Sequence, residues 1–147
     1  MTTVPRPETA DGMNSRILNG ALAGLAGGVV FGLMMGMMQM LPMVAGLVGS
    51  QSPVVGFIVH MVISAIIGAI YGVVLGGATT SWGTALGLGA IYGLVWWFLG
   101  PLLIMPTMMG MGPQLNATAM AEQMPSLIGH LIYGVITGAT FFWLTHR

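Results

Sequence analysis

Residues 53–76, PVVGFIVHMVISAIIGAIYGVVLG, carry no charged side chain and only one imidazole, His60. The hydrocarbon core of a bilayer, about 30 Å thick, is crossed by roughly 20 apolar residues in helical form. Three further stretches meet that length, at 17–41, 83–105 and 126–145. In lipid every backbone N–H and C=O must be satisfied within the segment or within a closed barrel. Apolar runs this long are helices. The expected fold is therefore an all-α integral membrane protein with four transmembrane helices.

Composition closes off the alternatives. Of 147 residues, 56% are hydrophobic and 4% charged, with a mean hydropathy of +0.92. A soluble domain carries roughly 25% charged residues to hydrate its surface. The net charge is zero, which leaves no basic footprint for nucleic acid. There is no cysteine, so disulfides, thiolate chemistry, iron–sulfur ligation and covalent haem attachment are excluded.

Residues 1–16 read as a polar cytoplasmic tail, ahead of a single four-helix domain over 17–147. The apolar stretch that follows the tail exceeds the 7–15 residues of a signal-peptide core, so a plain first span is expected. Pro42 should stop or kink that span, and Pro106 should end the third, which also contains Pro101. Pro53 and Pro125 suit a first helical turn, where the missing N–H is no loss. Arg6 and Arg16 precede the first span and Arg147 follows the last. An even number of spans puts both ends on one side, and the positive-inside rule makes that side cytoplasmic. The connections at 42–52 and 106–124 then face outward. Trp82 and Trp143, near span ends, fit an interfacial aromatic belt.

The chain reads as two tandem helical hairpins, unit one at 17–77 and unit two at 82–145. A shift of 64 carries Ala21, Leu22, Gly36 and Pro42 onto Ala85, Leu86, Gly100 and Pro106. A shift of 70 carries His60, Gly68 and Ala69 onto His130, Gly138 and Ala139. Tandem hairpins share one orientation, so the pseudo-two-fold axis lies along the membrane normal.

Lipid tails are as apolar as leucine, so helices associate in a bilayer through close contact of small residues. The first span has Gly20, Gly24, Gly28, Gly32 and Gly36; the second has Gly56, His60, Ser64, Gly68, Gly72 and Gly76. The fourth has Ser126, His130, Gly134 and Gly138, and the third a looser Ala85, Gly89, Gly93. A four-residue step turns about 400°, so each stripe drifts about 40° per step, which suits right-handed GxxxG-type crossings. Both intramembrane histidines lie on these stripes and should face helix neighbours at similar depth.

Three readings are open for that pair. The imidazoles can cross-link helices by hydrogen bonds, with Ser64, Tyr71, Thr137, a backbone carbonyl or each other as partners. They can ligate haem b or a related tetrapyrrole as two axial ligands, with Gly68, Gly134 and Gly138 leaving room for the macrocycle. They can ligate Cu(I), which suits imidazole and thioether donors. For that reading Met34 and Met38, at i and i+4, are the candidate thioethers within MMGMMQMLPM, and further sulfur lies at Met108, Met109, Met111, Met120 and Met124. The opposing view of these methionines is flexible packing material beside glycine.

Other chemistry is sparse. Glu122 is the one charge on the outer side and the only carboxylate for a histidine proton relay. No nucleophile–base pair with oxyanion donors is evident. Asn116-Ala-Thr118 matches the glycosylation triplet. The segment ATAMAEQM at 117–124 is expected to form a short surface helix, able to cap the histidines.

His60, Ser64 and Tyr71 (H-x3-S-x6-Y), with Gly129-His130-Leu131 opening the last helix and a proline ending the third, resemble the YagU-like group of small bacterial inner-membrane proteins. The resemblance spans about 53–145, and this chain lacks the longer polar insertion such proteins carry between early helices. It implies an inner-membrane location and recurrent histidines, and transfers no biochemical activity. The expected function is non-enzymatic: a structural or accessory subunit that self-associates or joins a larger membrane complex. Cofactor or Cu(I) binding at His60 and His130, and a proton or small-solute conduit, stand as alternatives.

Overall fold

The computed structural model describes residues 10–147. Four helices are long and apolar enough to cross a membrane, at 12–37, 53–78, 82–108 and 124–145. The elements are α1 (Ala10–Met37), α2 (Leu41–Ala45), α3 (Pro53–Leu75), α4 (Trp82–Leu99), a π-helical turn (Gly100–Ile104), α5 (Met105–Met108), α6 (Ala117–Glu122) and α7 (Met124–Thr145). This is an all-α membrane protein.

The expected tail is shorter than 1–16. Residues 10–16 are the first turns of α1, and 1–9 lie outside the described residues. The end of α1 also differs from expectation, because Pro42 opens a helix instead of closing one. Gln39 takes a left-handed φ of 55°. Met40 N–H donates to the Met35 carbonyl at 2.9 Å and Gln39 N–H to that of Gly36 at 3.2 Å. These paired bonds are the Schellman end of a helix, with glutamine where glycine is usual. Pro42 then sits in the first turn of α2, where it has no donor to lose.

The other boundaries follow local chemistry. The Ser52 hydroxyl caps α3 by accepting from Val55 N–H, and Pro53 fills its first turn. Ser81 and Thr84 form a reciprocal capping box at the start of α4. Pro125 lies in the first turn of α7. Asn116 caps the short α6, accepting from Ala119 N–H at 2.9 Å. In the third span Pro101 cannot donate the backbone bond that would continue α4. The chain widens there into the π turn before resuming as α5.

α1 packs along α3, α7 packs along α4, and α1 joins α7 to unite the two hairpins. Around the bundle the order is α3, α1, α7, α4. α3 and α4 complete the circle and barely meet. The bundle has a loop end, carrying α2, α5 and α6, and a termini end, carrying the 76–81 turn and the C-terminus.

Within each hairpin the small residues bring backbones together. A Cβ at Gly68 would collide with the Gly20 carbonyl, and one at Gly24 with that of Ser64. In the other hairpin Gly138 lies on the Ala85 carbonyl and Gly89 on that of Gly134. The equivalent positions are thus Gly20 with Ala85, Gly24 with Gly89, Ser64 with Gly134 and Gly68 with Gly138. The first helices correspond with a separation of 65, one more than the proline-matched shift of 64. The contact register follows which residues are small, and the prolines lie beyond the contact, where one residue of slippage costs nothing.

Two buried clusters fill the interior. At the termini end Ala23, Tyr71, Tyr92 and Phe141 pack together, with the Tyr71 ring edge-on to Tyr92 and Phe141 at 5.1 and 5.6 Å between centroids. At the loop end Phe31, Met35, Leu41, Val44 and Tyr133 form the second. Trp82 and Trp143 are exposed at the termini end.

Candidate functional site

Between α3 and α4, on the loop-end side of the hydrogen bond that joins them, lies a cavity of about 360 Å³. That bond runs from the Tyr92 hydroxyl, which donates to the Ile67 carbonyl at 2.6 Å. Beyond it the helices diverge. Ile63 and Ile67 of α3, Trp96 of α4 and Gly100 and Pro101 of the π turn border the gap. Phe31 and Met35 of α1 and Tyr133 of α7 form its back. α2 lies across the first turn of α3, which Gly56 permits because its missing Cβ is where the Leu41 carbonyl sits.

Both intramembrane histidines line this cavity. His60, 7% exposed, reaches α1 through Nε2, 2.9 Å from the Gly28 carbonyl. A carbonyl only accepts, so Nε2 carries the proton and donates. The absent side chain at Gly28 leaves room for Ser64, whose hydroxyl is 3.4 Å from the same nitrogen. Nδ1 of His60 has no hydrogen-bond partner among the described residues.

His130 has the opposite tautomer. Its Nδ1 donates to the Ser126 carbonyl at 2.8 Å, with the Ser126 hydroxyl 3.2 Å away. Its Nε2 is the unpartnered nitrogen, 3.8 Å from where a Cβ at Gly100 would stand. Each ring is thus oriented by a backbone carbonyl and keeps one lone pair free. Second-shell bonds of this kind fix the tautomer and direction of metal-binding imidazoles.

The two rings do not touch. Phe31 stands between them, edge-on to His60 at 5.3 Å and to His130 at 4.8 Å between centroids. Its own edge is seated where Gly129 has no side chain. Gly68, Gly134 and Gly138, expected to leave room for a macrocycle, are covered by the neighbouring helix backbone.

The sulfur is also redistributed. Met34 packs against the outer side of the loop-end cluster, and Met38 is 40% exposed in the turn after α1. Neither lines the cavity. The methionines that do are Met35, Met40, Met43, Met105 and Met108. Met35 was within reach of helical periodicity: eleven residues from Gly24 is about three full turns, which places it on the same face. The other four depend on the α2 and π-turn corners, which span-level reading does not resolve.

Gln123 lines the cavity as well, and its side-chain Oε1 is buried without a partner. Its backbone carbonyl accepts from the Trp97 indole at 2.9 Å, which ties the start of α7 to α4. The expected cap over the histidines is therefore this glutamine, at the junction after α6. Glu122 is exposed and does not line the cavity, so among the described residues no carboxylate lines it. Ser64 is part of the wall.

No family of known proteins, no curated protein and no solved structure matches this chain.

Proposed function

We propose that the protein is a non-enzymatic, multi-pass component of a bacterial inner membrane that holds a small ligand in the cavity between α3 and α4. The observation that carries this reading is the pair of oriented imidazoles, each with one uncompensated lone pair, lining one largely apolar space. A buried polar atom without a partner is costly, and an apolar pocket with a few convergent polar groups is the usual form of a small-molecule site. The chemistry around the histidines favours binding: the Ser64 and Ser126 hydroxyls each lie beside the nitrogen that carries its proton toward a backbone carbonyl, so neither hydroxyl has a base. Arg6, Arg16 and Arg147 favour cytoplasmic termini. The likeness to the YagU-like group supports the location, and the matched contact registers support an origin by duplication of a hairpin.

The test uses Trp96, which borders the cavity. A bromophenol has an apolar body, one O–H donor for an imidazole lone pair and a heavy atom that quenches indole fluorescence. Saturable quenching in detergent is expected, absent in Trp96→Phe and in Gly100→Leu. The latter directs a side chain toward His130 Nε2 and fills the space. Quenching that never saturates, or that persists in both variants, overturns the reading.

A second reading, an accessory subunit that self-associates or joins a larger complex, is favoured by the broad apolar faces of α1 and α3, where Leu33, Val54, Ile58, Val62 and Ile66 are exposed. Native mass measurement in a mild detergent tests it; a lone monomer at all concentrations counts against it.

A further inference from the structure

We propose that the ligand of this cavity is an uncharged hydroxylated aromatic ring carried on an apolar chain, of the phenol or quinol type, which enters from the bilayer between α3 and α4 and donates its hydroxyl to His130 Nε2. The inference rests on the cavity being a ligand site and names what it takes and from where.

The mouth fixes the source. The Tyr92 bond closes the space toward the termini end, and α1 and α7 form its back. Ile104 and Met108 belong to the wall and are still 43% and 66% exposed. The mouth therefore runs along the π turn and α5, on the side where α3 and α4 barely meet. Both residues fall within the third span, 82–108, so in a bilayer the mouth opens to hydrocarbon and admits a lipid-soluble molecule. A volume of about 360 Å³ is near the small end for ligand pockets, room for a ring head with its chain left outside. No Asp, Glu, Lys or Arg among the described residues lines the cavity. An unpaired charge in such a setting is expensive, which sets aside fatty-acid carboxylates and phosphate head groups and leaves a neutral ligand.

The polar part of the wall fixes the head. His130 Nε2 is a lone pair, because Nδ1 holds the proton and donates it to the Ser126 carbonyl. It points to Gly100, which is itself part of the wall. The Ser64 and Ser126 hydroxyls lie beside protonated ring nitrogens and so keep a hydrogen to donate; neither has another hydrogen-bond partner among the described residues. The Gln123 amide brings a donor and a buried, unpartnered acceptor. The wall thus offers acceptors and donors together. A hydroxyl answers either kind, whereas a carbonyl or ether oxygen answers only the donors and leaves the imidazole lone pair unmet. No bridge between the two histidines is required. The apolar part of the wall favours a flat ring over a plain alkyl alcohol. Phe31, Trp96 and Tyr133 line it with five methionines, and both aromatic edges and thioether sulfur pack favourably on an aromatic ring.

The full chain is reconstituted in phosphatidylcholine vesicles, and tryptophan fluorescence is titrated with 2-bromo-4-octylphenol and with its methyl ether, which keeps ring, bromine and tail and loses the O–H. The signal is the difference between the parent and Trp96→Phe, which cancels quenching of the other tryptophans by probe dissolved in the lipid. Saturation is expected, with the phenol bound at least about fivefold more tightly than the ether, the consequence of an acceptor left unmet. In His130→Phe that preference falls to near one while the ether still binds. The comparison within the parent keeps the proposal open to refutation if the variant fails to fold. A phenol with a diazirine at the end of its tail is expected, on irradiation, to label α3 and the third span beside the mouth. Equal affinity for phenol and ether overturns the proposal, as does a preference that survives His130→Phe, or labelling confined to 109–123 or to the outer faces of α1 and α7. The untailed bromophenol separates the two levels: if its quenching of Trp96 saturates while phenol and ether bind alike, the hydroxylated class falls and the cavity site stands, and if no probe saturates both fall.

Discussion

The seam between α1 and α7 and the gap between α3 and α4 join the same two hairpins, and they differ at positions that the contact registers of the hairpins pair. On the tight seam Gly27 lies against Tyr133 and Thr137, and Phe31 enters the space at Gly129. The counterparts on α4 and α3, by the contact register, are Tyr92 with Ile63 and Ile67, and Trp96 with Val59. Where the seam has two glycines and a phenyl, the gap has a tyrosine, a valine and an indole. The ring that nests against glycine has no matching hollow against a β-branched residue. One seam closes, the other is propped at Tyr92, and the cavity is the space left over. In a bilayer, where burial of apolar surface gives helices no reason to associate, shape alone separates a closed seam from an open one.

Three substitutions test that difference, in decreasing size. Gly129→Leu places a side chain where the edge of Phe31 sits. Overpacking of this kind costs about 3 kcal/mol, and the variant should unfold well below the parent in a thermal scan in detergent. Val59→Leu, at the paired position, should stay within about 1 kcal/mol of the parent because Val59 is only partly buried, at the side of the loop-end cluster, and one methylene more can turn outward. Equal losses in the two would show that the seams are not packed differently.

Tyr92→Phe removes the hydroxyl that donates to Ile67 at 2.6 Å. The expected loss is about 0.6 kcal/mol, the average for an interhelical hydrogen bond in a membrane protein. The more diagnostic change is geometric. Because the chain has no cysteine, spin labels can be placed uniquely at exposed Ile66 and Val95. Their distance distribution should broaden in Tyr92→Phe and not in Tyr133→Phe, which severs the bond from α7 to the Ser64 carbonyl at 2.7 Å while the tight seam holds.

The smallest effect concerns a glycine that belongs to neither seam. Nothing lies within 4 Å of a Cβ built at Gly87. Gly87→Ala should raise stability by about 0.5 kcal/mol through helix propensity. Gly89→Ala, two residues away against the Gly134 carbonyl, should lower it. An Ala at both positions with the same sign of effect would mean that close approach of backbones does not organise these hairpins.

The spans, the prolines of the first turns at Pro53 and Pro125, the short α6 and the placement of His60 on the small-residue stripe were readable from the chain, since each depends on length, spacing or a local cap. The end of α1 was not, because a glutamine occupies the left-handed position where glycine or asparagine would have marked it. The contacts within the hairpins pair the first helices one residue away from the proline match, because the small residues touch and the prolines lie beyond the contact. Met34 and Met38 were favoured by their i, i+4 spacing, yet spacing identifies a shared face and not the direction that face takes once the helix meets its neighbours.

Sequence alone determined that this chain has four helices able to cross a membrane, with two histidines among small residues, because apolar runs of this length satisfy their own backbone in hydrocarbon as helices and small residues let such helices approach. Only the packed structure decided that Phe31 separates the imidazoles, that each keeps one lone pair, and that the space beside them opens between α3 and α4. The reason is that these outcomes depend on which side chain finds a hollow opposite it, and a hollow is a property of two helices together.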